Sequence, residues 1–270
     1  MTWIIKNEKP KIGVFSLTGC AGDQLMILNL EDTLIELLAK FDIKSFQEAS
    51  SYSENTKLDI AFIEGSVSTD HDLKILKNIR ENSSLLVAIG DCAINGCVQA
   101  MRNNQTSIAE RMLDVYGVKD NVYNALEPKG VGEYVKVDAE IPGCPIEKEE
   151  VFNAFISLLN GDMPLIPDYP VCVECKLNGY PCVIIEESKP CLGPIITAGC
   201  DARCPGLGLD CIGCRGAIRG ETNAKAELET LRKRGYNDKY IINRLRFFAG
   251  NFEDIKNLGV REASKGERDE

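Results

Sequence analysis

Eight of the twelve cysteines fall between residues 172 and 214, and no histidine lies among them. Their order is Cys172-x2-Cys175-x6-Cys182-x8-Cys191-x8-Cys200-x3-Cys204-x6-Cys211-x2-Cys214. Eight thiols make two complete four-thiolate sites, and soft thiolates select zinc, Cu(I) or iron–sulfur clusters over hard cations. A disulfide scaffold would need an oxidising compartment. The opening MTWIIKNEKPKIGVF has no apolar signal core or small-residue cleavage site. A zinc ribbon could use Cys172/Cys175 and Cys211/Cys214 as its halves. Their separation exceeds the usual gap of about 15–20 residues, and four more cysteines lie inside it. One zinc ion strands those four, whereas two iron–sulfur clusters employ all eight.

At 270 residues the chain can build one sizeable core plus a smaller module held by its own ligands. Its 44% hydrophobic and 27% charged content is that of an ordinary soluble protein. No apolar run approaches the roughly 18 residues of a membrane span, and no twin-arginine signal precedes the first strand. The expectation is a cytoplasmic chain without a membrane anchor of its own. A net charge of −10 argues against nucleic acid, which needs a concentrated basic surface. The basic stretch 225–246 also carries Glu227, Glu229 and Asp238, the pattern of a solvated helix face. His71 sits in the polar run STDHD and reads as an exposed residue at a helix start, without a functional role.

The first half alternates strand-like and helix-like patterns. Residues 11–17 (KIGVFSL) read as a buried strand, and 23–41 as one apolar-periodic helix. Residues 42–46 form a weak strand, 58–64 (LDIAFIE) a strong one, and 70–82 a helix. A further strand at 85–89 (LLVAI) ends on Gly90, with a helix starting near Ala93. Residues 134–137 read as another strand and 148–159 as a helix. Such alternation predicts an α/β, flavodoxin-like, doubly wound parallel sheet spanning residues 1–165. The proline-rich stretch 164–170 marks a boundary. Residues 166–218, rich in Gly and Pro, read as a small irregular iron–sulfur domain with too little apolar sequence for a core, stabilised mainly by its ligands. Residues 219–270 read as a C-terminal helical tail, with helices at 221–234 and 237–249 and a frayed end at 261–270.

In doubly wound sheets, ligands sit beyond the carboxyl ends of the strands, where strand order reverses. The remaining cysteines obey that rule. Cys20 follows the first strand, Cys92 and Cys97 follow LLVAI, and Cys144 lies in PGCP ahead of a helix. The loop LTGCAG lacks a Ser/Thr-rich phosphate cradle, which makes flavin binding there the weaker reading and a third cluster the stronger.

These stretches resemble the small subunit of [NiFe] hydrogenases, in particular the cytoplasmic multimeric group that includes sulfhydrogenase delta subunits and methanogen viologen-reducing and deazaflavin-reducing small subunits. The resemblance rests on LTGCAGDQL (17–25), DIAFIEGSVST (59–69), AIGDCAINGCVQA (88–100), IPGCP (141–145), YPVCVECKLNGYPC (169–182) and CLGPIITAGCDARCPGLGLDCIGCRGA (191–217). It implies three [4Fe–4S] clusters in a row. Cys172, Cys175, Cys182 and Cys191 would bind the distal one, and Cys200, Cys204, Cys211 and Cys214 the medial one. Cys20, Cys92 and Cys144 would bind the proximal one, facing a large subunit that carries the nickel–iron site. Flavin- and iron–sulfur-containing diaphorase-like subunits handling NAD(P) or ferredoxin would complete the complex, with no nucleic acid and no membrane.

The chain departs from that family at the proximal position. Asp23 stands where the family usually has a second cysteine after the first strand, and Cys97 stands where most members have glycine. The fourth ligand is therefore open between Cys97, Asp23 and, more remotely, Glu64. The ordinary role for Asp23 is a first-turn helix residue favoured by the macrodipole. Three such sites take eleven of the twelve cysteines, with Cys97 a candidate for the remaining place, so the H2-activating centre would lie in a partner. A complex I-like iron–sulfur subunit and a zinc-stabilised scaffold are the alternatives.

Overall fold

A computed structural model describes residues 8–118, 124–218 and 223–248. In chain order the elements are β1 (Lys11–Ser16), α1 (Gly22–Leu28), α2 (Asp32–Leu38), β2 (Asp42–Phe46), β3 (Leu58–Glu64), β4 (Val67–Thr69) and α3 (Asp70–Glu81). Then follow β5 (Ser83–Ile89), α4 (Gly90–Asn95), α5 (Cys97–Ala100), α6 (Ile108–Tyr116), β6 (Ala125–Lys129), β7 (Ala139–Ile141) and α7 (Lys148–Leu159). The last five are α8 (Val171–Leu177), α9 (Val183–Glu187), α10 (Arg203–Gly206), α11 (Ala224–Lys233) and α12 (Asp238–Arg246).

Five strands form a parallel sheet in the order β2-β1-β3-β5-β7. Disregarding β4, this is the flavodoxin-like order, whose switch point lies between β1 and β3. The period-two alternation of β3 explains why both faces are covered. Ile60 and Phe62 face Ile27, Leu37, Phe155 and Leu158 of α1, α2 and α7, whereas Ala61 and Ile63 face Leu76 and Ile79 of α3. Phe155 stacks on Phe62 at 4.6 Å and meets Phe41 edge-on at 5.5 Å.

Several expectations need correction. The helix expected over 23–41 is two helices, broken at 29–31, where Glu31 adopts φ 54°. Residues 134–137 are not a strand: the edge strand is β7, paired through Val87↔Ala139 and Ile89↔Ile141, while Tyr134, Val135 and Val137 pack against the α3 side of the core. The antiparallel pair β4/β6 and helix α6 were not anticipated. Residues 166–218 do contribute to an apolar core. Val171, Val183, Ile184, Leu192, Ile195 and Ile196 pack with Leu228, Leu231, Ile241, Ile242 and Leu245 of α11 and α12. The apolar surface that this segment could not enclose alone is enclosed by the C-terminal helices. The helix starts expected at 221 and 237 are at Ala224 and Asp238, and His71 is exposed at the start of α3. The end at 261–270 lies outside the described residues. Among the described residues no helix is long and apolar enough to cross a membrane.

Candidate functional site

At the switch point, Gly65 takes φ +90° and lies so close to the Leu17–Thr18 backbone that a Cβ would be 2.8 Å from a carbonyl carbon. This lets Thr18 and Ser66 exchange backbone hydrogen bonds (3.2 and 2.8 Å), locking the β1 and β3 loops together. Glu64, at the end of β3, accepts the N–H groups of Asp23 (3.3 Å) and Gln24 (3.2 Å), so a carboxylate caps the first turn of α1. Asp23 Oδ1 accepts the N–H of Ile146 (2.9 Å), and Asp91 N–H donates to Gly143 (2.7 Å). The loops after β1, β3, β5 and β7 are thereby tied into one floor.

That floor gathers Cys20, Cys92, Cys97 and Cys144, with Asp23 and Glu64 beside them. Gly96 (φ 81°) and Cys97 (φ 46°) reverse the chain between α4 and α5, and the reversal turns the Cys97 thiol back onto its neighbours. Hydrogen bonds to Cys144 and Cys92, together with burial, push the Cys97 thiol well above the usual range. The bond from Cys97 lowers Cys144 to about 7. Cys20 is the most exposed of the four. The Gly22 N–H favours its thiolate, but burial and the charges of Glu64, Cys92 and Asp23 outweigh this and raise it. Burial, then Glu64, pushes Asp23 up to about 7 against the hydrogen bond from Ile146. Burial likewise pushes Asp91 to about 8, although Asn95 donates to it at 2.6 Å.

A second group is built on α8, which carries Cys172 and Cys175 one turn apart. Cys182 precedes α9, and Cys191 returns to the set. Burial and then the mutual repulsion of Cys191, Cys175 and Cys182 raise Cys172 to about 12. Gly193 sits under this group: a Cβ there would be 3.3 Å from Cys172 Sγ and 3.4 Å from Cys191 Sγ. Gly206 makes room for the Tyr180 ring, two of whose carbons would lie 2.8 Å from a Cβ there.

Cys200, Cys204, Cys211 and Cys214 form the third group. Burial, then the charges of Cys200, Cys204 and Cys144, raises Cys214 to about 12. Burial dominates at Cys211 too, with Cys191 its strongest charged neighbour. The groups therefore touch in series. Cys144 and Cys214 pack in one apolar cluster with Cys92 and Cys97, and the Cys211 N–H donates to Cys191 Sγ at 3.2 Å.

A buried arginine, passed over in the sequence, stitches this series together. Arg215 donates through Nε to Thr197 (3.3 Å) and Ala198 (2.8 Å), and through Nη1 to Pro142 (2.9 Å). Its Nη2 meets both oxygens of Glu150 at 2.7 and 3.0 Å. One guanidinium thus spans the Cys144 loop, the Cys200 loop and α7, a fork geometry that lysine cannot supply. Desolvation still raises Glu150 despite the pair. Its place directly after Cys214 was the only sequence signal. Glu174 acts similarly, accepting the N–H groups of Gly199 (2.6 Å) and Ala202 (3.1 Å) on either side of Cys200.

The donor set fits iron–sulfur chemistry. All twelve cysteines are free, and burial followed by the charges of neighbouring thiols raises Cys172 and Cys214, a cost that a cationic iron centre would relieve. Gly193 leaves side-chain-free space against two sulfurs, and an N–H already points at Cys191 Sγ. Among the described residues, no three His, Cys, Asp or Glu side chains converge as they would on one metal ion.

A flavodoxin-like sheet with thiols at its switch point, continued by two more thiol sets in series, defines an iron–sulfur redox protein. Residues 20–158 match the family described as NADH ubiquinone oxidoreductase, 20 Kd subunit. The chain is 44% identical over 239 residues to sulfhydrogenase 2 subunit delta of Pyrococcus furiosus, covering 88% of this chain and 99% of that protein. It is 31% identical over 237 residues to a vhu subunit of the F420-non-reducing hydrogenase of Methanocaldococcus jannaschii, covering 76% of this chain and 81% of that one. Among solved structures it superposes on a chain of an NAD+-reducing [NiFe]-hydrogenase in the H2-reduced state, with TM-score 0.54 and 28% identity over 59% of this chain and 96% of that one. The chain belongs to the small-subunit family of [NiFe] hydrogenases, as an iron–sulfur, electron-transfer subunit of an enzyme that oxidises or produces H2.

Proposed function

We propose that this chain carries three [4Fe–4S] clusters and moves electrons between a nickel–iron site in a large-subunit partner and a flavin- and iron–sulfur-containing module that handles NAD(P) or ferredoxin. When bound, the clusters supply one-electron carriers. Residues 1–165 hold the proximal one through Cys20, Cys92 and Cys144. Residues 166–218 hold the medial one through Cys200, Cys204, Cys211 and Cys214, and the distal one through Cys172, Cys175, Cys182 and Cys191. Residues 219–270 extend this segment. The serial contact of the three thiol groups, through Cys144–Cys214 and Cys211–Cys191, carries the reading. The NAD+-reducing relative supports an NAD(P)-handling partner. A complex I-like subunit is less apt, because the family match ends at residue 158, before the eight-cysteine segment begins.

For the fourth proximal ligand we favour Cys97, whose thiol already bonds to Cys92 and Cys144. The Asp23 carboxylate is engaged by Ile146, and both Glu64 oxygens cap α1. Carboxylate would also be the harder donor for soft cluster iron.

Anaerobic purification of the complex tests the proposal. About twelve iron with matching acid-labile sulfide per chain is expected, together with a large subunit and a flavin-containing subunit. Zinc without sulfide overturns it. In Cys200→Ser, hydrogen/deuterium exchange by the partner should persist while reduction of an external dye collapses; equal loss of both would mean failed assembly.

A further inference from the structure

The last described residue, Phe248, follows α12 and is only 7% exposed, although its neighbour Phe247 is 43% exposed. It does not join the apolar core formed by Ile241, Ile242 and Leu245 of the same helix. It packs instead in a cluster with Cys92 and Cys97, against which Cys144 and Cys214 also lie. These are the thiols at the junction of the switch-point group and the third group. Two further contacts hold α12 there. Arg244 Nη2 donates to the Cys211 carbonyl (3.4 Å), and the same guanidinium pairs with Asp210.

We propose that Phe248 seals the junction between the proximal and medial sites against water and thereby holds the potentials of both clusters low. The inference rests on the cluster assignment above. A phenylalanine covers roughly 150–250 Å², and here the covered surface is sulfur. Reduction adds a negative charge to a cluster already carrying anionic thiolates, and water stabilises the more highly charged state. A junction from which water is excluded therefore resists reduction. The distal group, with Cys182 exposed, lies outside this seal. Phe248 is a positioning and shielding residue; it takes no part in chemistry.

The test uses the complete complex, purified anaerobically, with Phe248→Ala, Phe248→Leu and Phe247→Ala variants. Cluster potentials are read by EPR-monitored redox titration, and water access by deuteron couplings to the reduced clusters in D2O. In Phe248→Ala the reduced-to-oxidised ratio of the proximal and medial clusters at fixed potential should rise about tenfold, equivalent to about 59 mV for one electron. New deuteron couplings should accompany the rise, and the distal cluster should not move. Phe248→Leu, which keeps an apolar cover, and Phe247→Ala should both stay near the parent. A full complement of iron with unchanged potentials and couplings in Phe248→Ala overturns the seal while leaving the cluster assignment intact. Equal shifts of all three clusters in Phe248→Leu also overturn it, because the residue would then act only through folding. A parent complex lacking about twelve iron would sink the underlying assignment instead.

Discussion

Cys97 holds its thiol on a left-handed backbone (φ 46°) that residues with a side chain rarely adopt. Glycine suits that conformation, so Cys97→Gly removes the sulfur without backbone strain. The comparison with Asp23→Ala is therefore clean. We expect Cys97→Gly to alter or abolish the proximal EPR signal in the assembled complex, and Asp23→Ala to leave it largely intact. The opposite pattern would transfer the ligand role to the aspartate, and an unchanged signal in both would direct attention to Glu64 or solvent. A second residue-scale expectation concerns Glu227, buried in α11 and raised by burial to about 7. In the unfolded chain it ionises near the ordinary 4.5. Its folded pKa is raised, so its relative stabilisation is complete below about 4.5 and is lost as pH rises through about 7. Glu227→Gln removes that penalty. Its stability advantage over the parent should grow by about 1–2 kcal/mol between about pH 5.5 and about pH 8, after allowance for partial solvation. Urea midpoints at the two pH values measure it, and an advantage independent of pH would refute the assignment.

At the scale of elements, the join between the sheet and the cysteine-rich segment rests on Arg215. Arg215→Lys retains a charge for Glu150 but leaves the carbonyls of Pro142, Thr197 and Ala198 short of donors. A loss of about 2–4 kcal/mol is expected in denaturant unfolding, with weakened magnetic coupling between proximal and medial clusters in EPR. Retention of both would relegate the arginine to filling space in the interior. The sequence made the central strands legible because β3 and β5 are short, continuous apolar runs ending in glycine, the mark of a sheet covered on both faces. The thiols were legible through spacing alone. The break at 29–31 was not, because Asn29-Leu30-Glu31 contains neither Gly nor Pro and tertiary packing imposes the turn. The alternating YVKV at 134–137 imitated a strand, while the real edge strand is three residues long and is defined by its pairing with β5. Arg215 and Phe248 were equally hidden, since their importance comes from contacts distant in sequence.

Across the whole molecule, two cores of different kinds share the work. The sheet has its own apolar interior, whereas the buried side chains of residues 166–218 pack against α11 and α12, and under the proposed function two clusters would complete that second interior. Iron chelation should therefore expose both the cysteine-rich segment and these helices to protease, while most of the α/β domain stays folded. Circular dichroism combined with limited proteolysis distinguishes this from global collapse, and a protease-resistant cysteine-rich segment without iron would contradict it.

The strand order β2-β1-β3-β5-β7 also bears on biogenesis. Cys20, Cys92 and Cys144 meet only when strands from both ends of the domain are in register, so that receptacle is a product of long-range closure. Cys172, Cys175, Cys182 and Cys191 lie within one short stretch and can be brought together locally. During maturation the chain should accept its distal cluster early and its proximal cluster last, as a time course of cluster-specific EPR signals during reconstitution would reveal. On the proposed assignment, the protein would be charged from the acceptor end towards the hydrogen end.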